Sequence, residues 1–223
     1  MSASVAPVIA IDGPSASGKG TIAKRVAAEL LFHYLESGAL YRLIALVSLR
    51  NEISAEKALA EVAERMAVSF AGDKIILSDQ DVTLDVRSEE VSKRASEVAK
   101  LREVRTRLLQ RQHAFRRPPG LVADGRDMGT VVFPDATLKV FLTASPEVRA
   151  ERRYKQLIDK GIPANLRSLS RDLAERDARD KNRTVAPLVP APDSQVLDSS
   201  ALSIDAVAEL IVRWYREKTG GLR

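Results

Sequence analysis

The segment Gly13-Pro14-Ser15-Ala16-Ser17-Gly18-Lys19-Gly20-Thr21 constrains this chain more than any other. Before it runs Val8-Ile9-Ala10-Ile11-Asp12, short, apolar and partly β-branched, as in a strand buried on both faces. After it, residues 21–31 place Ile22, Val26, Leu30 and the intervening alanines on one helical face. Strand, glycine-rich turn and helix in that order predict the opening of a doubly wound α/β domain. The glycines let the backbone turn tightly with its amides facing inward. The helix points its positive end at the same place, so the turn suits phosphate. Lys19 supplies a movable charge for the β- and γ-phosphates, and the Thr21 hydroxyl is the candidate Mg2+ ligand. The strict form of this loop has Ser or Thr directly after the lysine, and here Gly20 stands there. A merely flexible Gly/Ser loop would not need a strand before it and a helix after it.

The alternation continues, with one interruption. A short strand is expected at 33–35 and helices at 38–50 and 55–66. Residues 68–70, 74–77 and 81–84 are short, β-prone and separated by turn residues, which predicts a small inserted antiparallel sheet of about three strands. Helices follow at 88–100 and 101–117, ended by Pro118-Pro119-Gly120. Strands are expected at 121–124, 138–142 and 195–198, and helices at 146–158, 166–179 and 204–218. The outer thirds would share one parallel sheet, with the middle inserted.

Composition narrows the partners. The 223 residues are 45% hydrophobic and 29% charged, so a core is possible and disorder is not expected. The net charge of +5 implies an anionic partner, and the absence of a dense Lys/Arg run favours a site over a nucleic-acid surface. There is no cysteine, which excludes disulfides and thiolate metal sites. With no basic, then apolar, leader and no membrane-length apolar run, a cytoplasmic location is expected, with no membrane partner.

Arginines supply the next signal. Ser37 and Arg42 follow one strand end, and Arg126 and Asp127 follow another, where sites of open α/β sheets lie. Arg149, Arg152 and Arg153 share a helical face, as do Arg176, Arg179, Asp180 and Arg183 if their helix persists that far. A solvated face with acidic partners such as Glu147 and Glu151 is the ordinary explanation. Phosphoryl transfer needs positive charge around the migrating group, and beside a phosphate loop two such helices point that way. His33 and His113 are expected to be surface or packing residues, and Trp214 to anchor the last helix.

These motifs together resemble the bacterial cytidylate kinases of the nucleoside-monophosphate kinase group. The resemblance runs from Ala6 to about Ile204, carried by residues 11–21, Ser37-Gly38-Ala39-Leu40-Tyr41-Arg42, ADGRDMGTVVFPD at 123–135 and ERDARDKNRTVAPLVP at 175–190. It implies a P-loop parallel sheet wrapped by helices, forming one kinase domain over 1–223. Its core would span about 6–36 and 119–223, with the monophosphate-binding region and its small sheet at about 37–118 and a lid at about 152–166. It implies ATP on Gly13, Pro14, Ser15, Ala16, Ser17, Gly18, Lys19, Gly20 and Thr21, with Mg2+. CMP and dCMP would be phosphorylated, with Ser37, Arg42, Ser96, Arg105, Arg126, Asp127, Arg176, Asp180 and Arg183 at the acceptor. Lys19, Arg126, Arg152 and Arg153 are the expected catalytic set, in a monomer with no nucleic-acid partner. Glu36 stands where the family has Asp, which keeps the charge on a longer arm.

A regulatory GTPase would carry an Asn/Thr-Lys-x-Asp motif, and Asn182-Arg183-Thr184-Val185 does not match it. A nucleic-acid binder would need stacking platforms, and aromatics are only 4% of the chain. A P-loop kinase for another small acceptor is the remaining alternative.

Overall fold

The computed structural model describes residues 5–159 and 161–221. They divide into two units: the chain up to Leu35 together with Phe115 onward, and Glu36–Ala114.

The first unit is built on a parallel sheet. β1 (Val8–Asp12) is buried along its whole length, as its apolar run predicts. α1 (Lys19–Leu30) and β2 (His33–Glu36) follow. β6 (Leu121–Gly125), β7 (Leu138–Thr143) and β8 (Gln195–Asp198) complete the order β2-β6-β1-β7-β8. β1 is central, pairing Asp12 with Gly125 on one side and with Phe141 on the other. The chain segments leaving β1 and β6 therefore emerge side by side at the carboxyl edge, where the strand order reverses. α8 (Ile204–Lys218) lies beside α1, and Val207, Ala208, Ile211 and Val212 join Ile22, Val26 and the β1 isoleucines in one core cluster. Trp214 packs against that cluster half-buried, and Tyr215 meets Phe32 edge-on at 5.5 Å. His33 Nε2 lies 3.0 Å from the Pro118 carbonyl, a packing contact. α6 (Pro146–Ile158) and α7 (Leu166–Lys181) pack on each other, each begun by a side-chain cap, Ser145 and Asn165. Lys160, within the expected lid, lies outside the described residues.

The second unit contains α2 (Ser37–Arg50), α3 (Glu56–Arg65), α4 (Glu89–Val98) and α5 (Arg102–His113). Its antiparallel sheet is β3 (Val68–Ala71), β4 (Lys74–Leu77) and β5 (Gln80–Asp81). The third strand differs from the expected 81–84. The Asp81 carboxylate accepts bonds from the Thr83 amide (3.0 Å) and hydroxyl (2.5 Å), curling the chain away from the ladder. A 3-10 turn, Asp85–Arg87, follows. α5 ends at His113, four residues before the expected 117.

One element has no counterpart in the sequence reading. Met128–Val132 forms a π-helical turn directly after β6. Asp12 explains it: its two carboxylate oxygens accept the amides of Met128 and Gly129, each at 2.8 Å. α7 runs to Lys181, two residues beyond the expected end, so Asp180 is helical and Arg183 lies past the Asn182 cap.

Candidate functional site

The loop from 13 to 18 has the geometry the sequence predicts. A Cβ on Gly13 would stand 2.0 Å from the Leu142 carbonyl oxygen, so only glycine fits there. Gly18 caps α1 at φ +91, a conformation other residues adopt only with strain. α1 starts without a side-chain cap and without an acidic residue in its first turn, which leaves its amides and positive pole for an anion. The Ser17 hydroxyl is buried with no partner among the described residues. An orphaned donor in a cradle that a Cβ would fill fits phosphate oxygens.

Lys19 is buried and donates to the Pro14 carbonyl at 3.0 Å, folded back onto its own loop. Burial pushes its amine down to about 7, and Arg126 and Arg176 push the same way, against Asp124 and Asp180. An incoming polyanion would reverse that balance. Gly20 forms part of the helix start, and Thr21 is exposed on the first turn.

Ser15 joins this loop to a cluster of charges. Arg126 donates from Nη2 to Ser15 Oγ (2.8 Å) and from Nε to Asp180 Oδ2 (2.9 Å). Arg183 pairs with the other Asp180 oxygen. Burial alone would raise Asp180, but Arg126, Arg183 and Arg176 outweigh it and hold the carboxyl below its usual range. The structure thus brings together Ser15, Lys19, Arg126, Arg176, Asp180 and Arg183. Asp127, the next residue after Arg126, is buried, and its charge acts on Asp12. Burial first, with Asp127 adding to it, raises Asp12 to about 7 despite two backbone hydrogen bonds and Lys19.

The α6 arginines do not act as one face. Arg152 donates to the carbonyls of Ser17 (3.1 Å) and Ser199 (2.6 Å) and to the Ser199 hydroxyl (3.1 Å), holding the loop backbone from behind. Arg153 donates to Gln156 one turn along (2.8 Å). Arg149 reaches the loop too, and its carboxylate partner is Asp177 on α7. Three residues near the loop were not singled out from sequence: Asp124, Tyr34 and Ser199. Tyr34 donates to Asp124 Oδ2, and a Cβ on Gly20 would stand 3.7 Å from both of those oxygens. An acidic residue closing a buried strand was the available signal for Asp124; Tyr34 and Ser199 had none.

In the second unit, Ser37 Oγ donates to Gln112 Oε1 (3.1 Å) and Arg42 pairs with Glu36. Arg105 donates to the Ala99 carbonyl (3.3 Å) with its guanidinium 5.9 Å from the Tyr41 ring centre. Ser96 Oγ donates to the Ser92 carbonyl on its own helix (3.3 Å). Arg105, Ser96 and Ser37 are all buried. Among the described residues no helix is long and apolar enough to cross a membrane, and no group of three acidic, His or Cys side chains could hold a metal.

A parallel sheet carrying a phosphate loop on its central strand, with a lysine in the loop and arginines around it, defines a P-loop phosphotransferase. The sequence pattern of cytidylate kinase matches residues 9–217. A cytidylate kinase of Paraburkholderia phymatum is 59% identical over 212 residues, covering 94% of this chain and 93% of that protein. One from Bordetella bronchiseptica is 58% identical over 217 residues, covering 96% and 97%. The chain belongs to the cytidylate kinase family. An uncharacterized protein from Eubacterium ventriosum, of known crystal structure, shares the fold alone, at TM-score 0.51 and 11% identity over 94% of this chain and 98% of that one.

Proposed function

We propose that the protein transfers the γ-phosphoryl group of ATP to CMP and dCMP, giving CDP and dCDP. The observation that carries the phosphoryl-transfer reading is the cluster in which Ser15 and Lys19 of the loop meet Arg126, Asp180 and Arg183. Membership of the cytidylate kinase family supports the acceptor.

Residues 13–21 hold the ATP phosphates with backbone amides, and Lys19 swings from the Pro14 carbonyl to the migrating group. Arg126 and Arg183 exchange Asp180 for phosphate oxygens, so positive charge stands where negative charge is shared between donor and acceptor. Arg176 and Arg42 join them on the acceptor phosphate, and Ser37, Ser96, Arg105, Asp127 and Asp180 hold the nucleoside. Arg152 keeps the loop's carbonyls turned outward, and Arg153 serves at the lid.

Mg2+, if bound, would supply positive charge that neutralises the phosphates. Without an acidic triad it would take most ligands from phosphate and water, with Thr21 and Asp124 the groups at hand. The test is a coupled ADP-release assay with CMP, dCMP, UMP and AMP. CMP and dCMP should be turned over in preference, and equal or better turnover of AMP would overturn the assignment.

A further inference from the structure

Arg149 is buried and bonded both to the phosphate loop and to the half-buried Asp177, and neither is used in the reaction just described. Arg149 Nη1 lies 2.7 Å from Asp177 Oδ2 and donates to the Ser15 carbonyl at 3.2 Å, while its Nε donates to the Ala144 carbonyl at 3.1 Å. Ser15 is therefore tied to α7 twice. Its hydroxyl reaches Asp180 through Arg126, and its carbonyl reaches Asp177 through Arg149. Asp177 and Asp180 are one turn apart on the same side of α7, so the two bridges run in parallel.

We propose that the Arg149–Asp177 pair is a positioning device for phosphoryl transfer: it fixes α7, with Arg176 and Arg183, in register with Ser15 of the phosphate loop. The proposal rests on the kinase reading above. The two bridges differ in what substrate does to them. Arg126 and Asp180 face the substrates, so their bridge must be remade when phosphate arrives. Arg149 is only 5% exposed and its guanidinium is engaged on both edges, so its bridge persists through the cycle. A planar fork is needed to serve two carbonyls and a carboxylate at once, and a lysine ammonium, a single point of charge, cannot replace it.

Stability does not account for the pair. A buried ion pair is often no better for stability than apolar residues of the same volume. Here Asp177 Oδ1 is also buried without a hydrogen-bond partner among the described residues, a further cost. What the pair supplies is geometry. Misplacing reacting groups by about 1 Å lowers rates on the order of 100-fold.

The experiment compares wild type, Asp177→Asn and the double variant Arg149→Met/Asp177→Leu in the full chain. The double variant removes both charges, so it folds even where a single change strands one of them. Steady-state kcat with ATP and CMP is set against the ATP dissociation constant from calorimetry. Both variants should lose on the order of 100-fold in kcat while ATP affinity stays near wild type, and the double should lose no more than the single. Unchanged kcat in the double variant overturns the proposal. So does an ATP affinity that falls by the same factor as kcat, because the pair would then only hold the loop. A wild type that does not phosphorylate CMP sinks the kinase reading instead, so the two failures are distinguishable.

Discussion

The two units hold their buried and half-buried arginines by different means. In the parallel-sheet unit most of them have a carboxylate: Arg126 and Arg183 share Asp180, whose side chain is 1% exposed, and Arg149 takes Asp177, while Arg152 is held by the Ser17 and Ser199 carbonyls. In the Glu36–Ala114 unit they are mostly backbone carbonyls. Arg105 donates to Ala99, Arg111 to Ala63, Glu64 and Met66, and Arg94 to Ile53. Arg42, on Glu36, and Arg94, which also pairs with Glu97, are the exceptions. A carboxylate holds a guanidinium in place and can be exchanged for phosphate, one anion for another. A carbonyl orients the group without offering an anion to be exchanged, which suits donation to the edge of a neutral base. Under the proposed function, phosphate chemistry falls to the first unit and much of the base reading to the second.

The largest effect should follow from Lys19. Lys19→Ala should lower kcat by about 1,000-fold or more while CMP still binds, measured by steady-state kinetics and calorimetry. Near-normal turnover would remove the phosphate loop from the chemistry.

Asp127, like Asp180, is where the division is open to being broken, because it is a carboxylate of the first unit assigned to the nucleoside. Cytosine offers an amine at C4 and an acceptor at N3, and uracil reverses both. An ionised Asp127 can only accept and Arg105 can only donate, which matches cytosine. Asp127→Ala should shrink the CMP-to-UMP ratio of kcat/KM by up to about 1,000-fold. Equal losses for both nucleotides would return Asp127 to the phosphate side.

The smallest effect is a proton. Lys19 has its pKa lowered to about 7 in the free protein, so at pH 8 to 9 its amine is mostly neutral. Bound phosphate restores the charge, and ATP binding in that range should take up as much as one proton. Calorimetry in buffers of different ionisation enthalpy reads it directly. The same shift fixes a stability trend: the unfolded chain holds the extra proton between about 7 and the ordinary lysine value of 10.5, so Lys19 makes the free protein more stable as pH rises through that window. No uptake of protons would mean that Lys19 is charged before ATP arrives.

How far the sequence led depends on the range of each interaction. β1, the loop and α1 were legible because apolar runs, glycines and helical period are local features, and five expected strands joined one parallel sheet. The turn at Met128–Val132 was not, because it is set by Asp12, 116 residues earlier in the chain. Arg149 read as the neighbour of Glu147 and Glu151, yet its partner is Asp177, since packing α6 on α7 offers a closer and drier carboxylate than its own helix does. The overlong third strand failed for a local reason, the Asp81–Thr83 turn, which propensity alone does not reveal. Arg105 and Ser96 carried no pattern of their own and came from the family resemblance, while Arg126 stood at a strand end where a site is expected.

The division between the units is tested most directly by measuring kcat/KM for CMP and UMP in Arg126→Ala and Arg105→Ala side by side. Arg126→Ala should depress both nucleotides by the same factor, on the order of 100-fold, and leave their ratio intact. Arg105→Ala should collapse the ratio, with the larger loss on CMP. A ratio that collapses in Arg126→Ala and survives in Arg105→Ala would contradict the account.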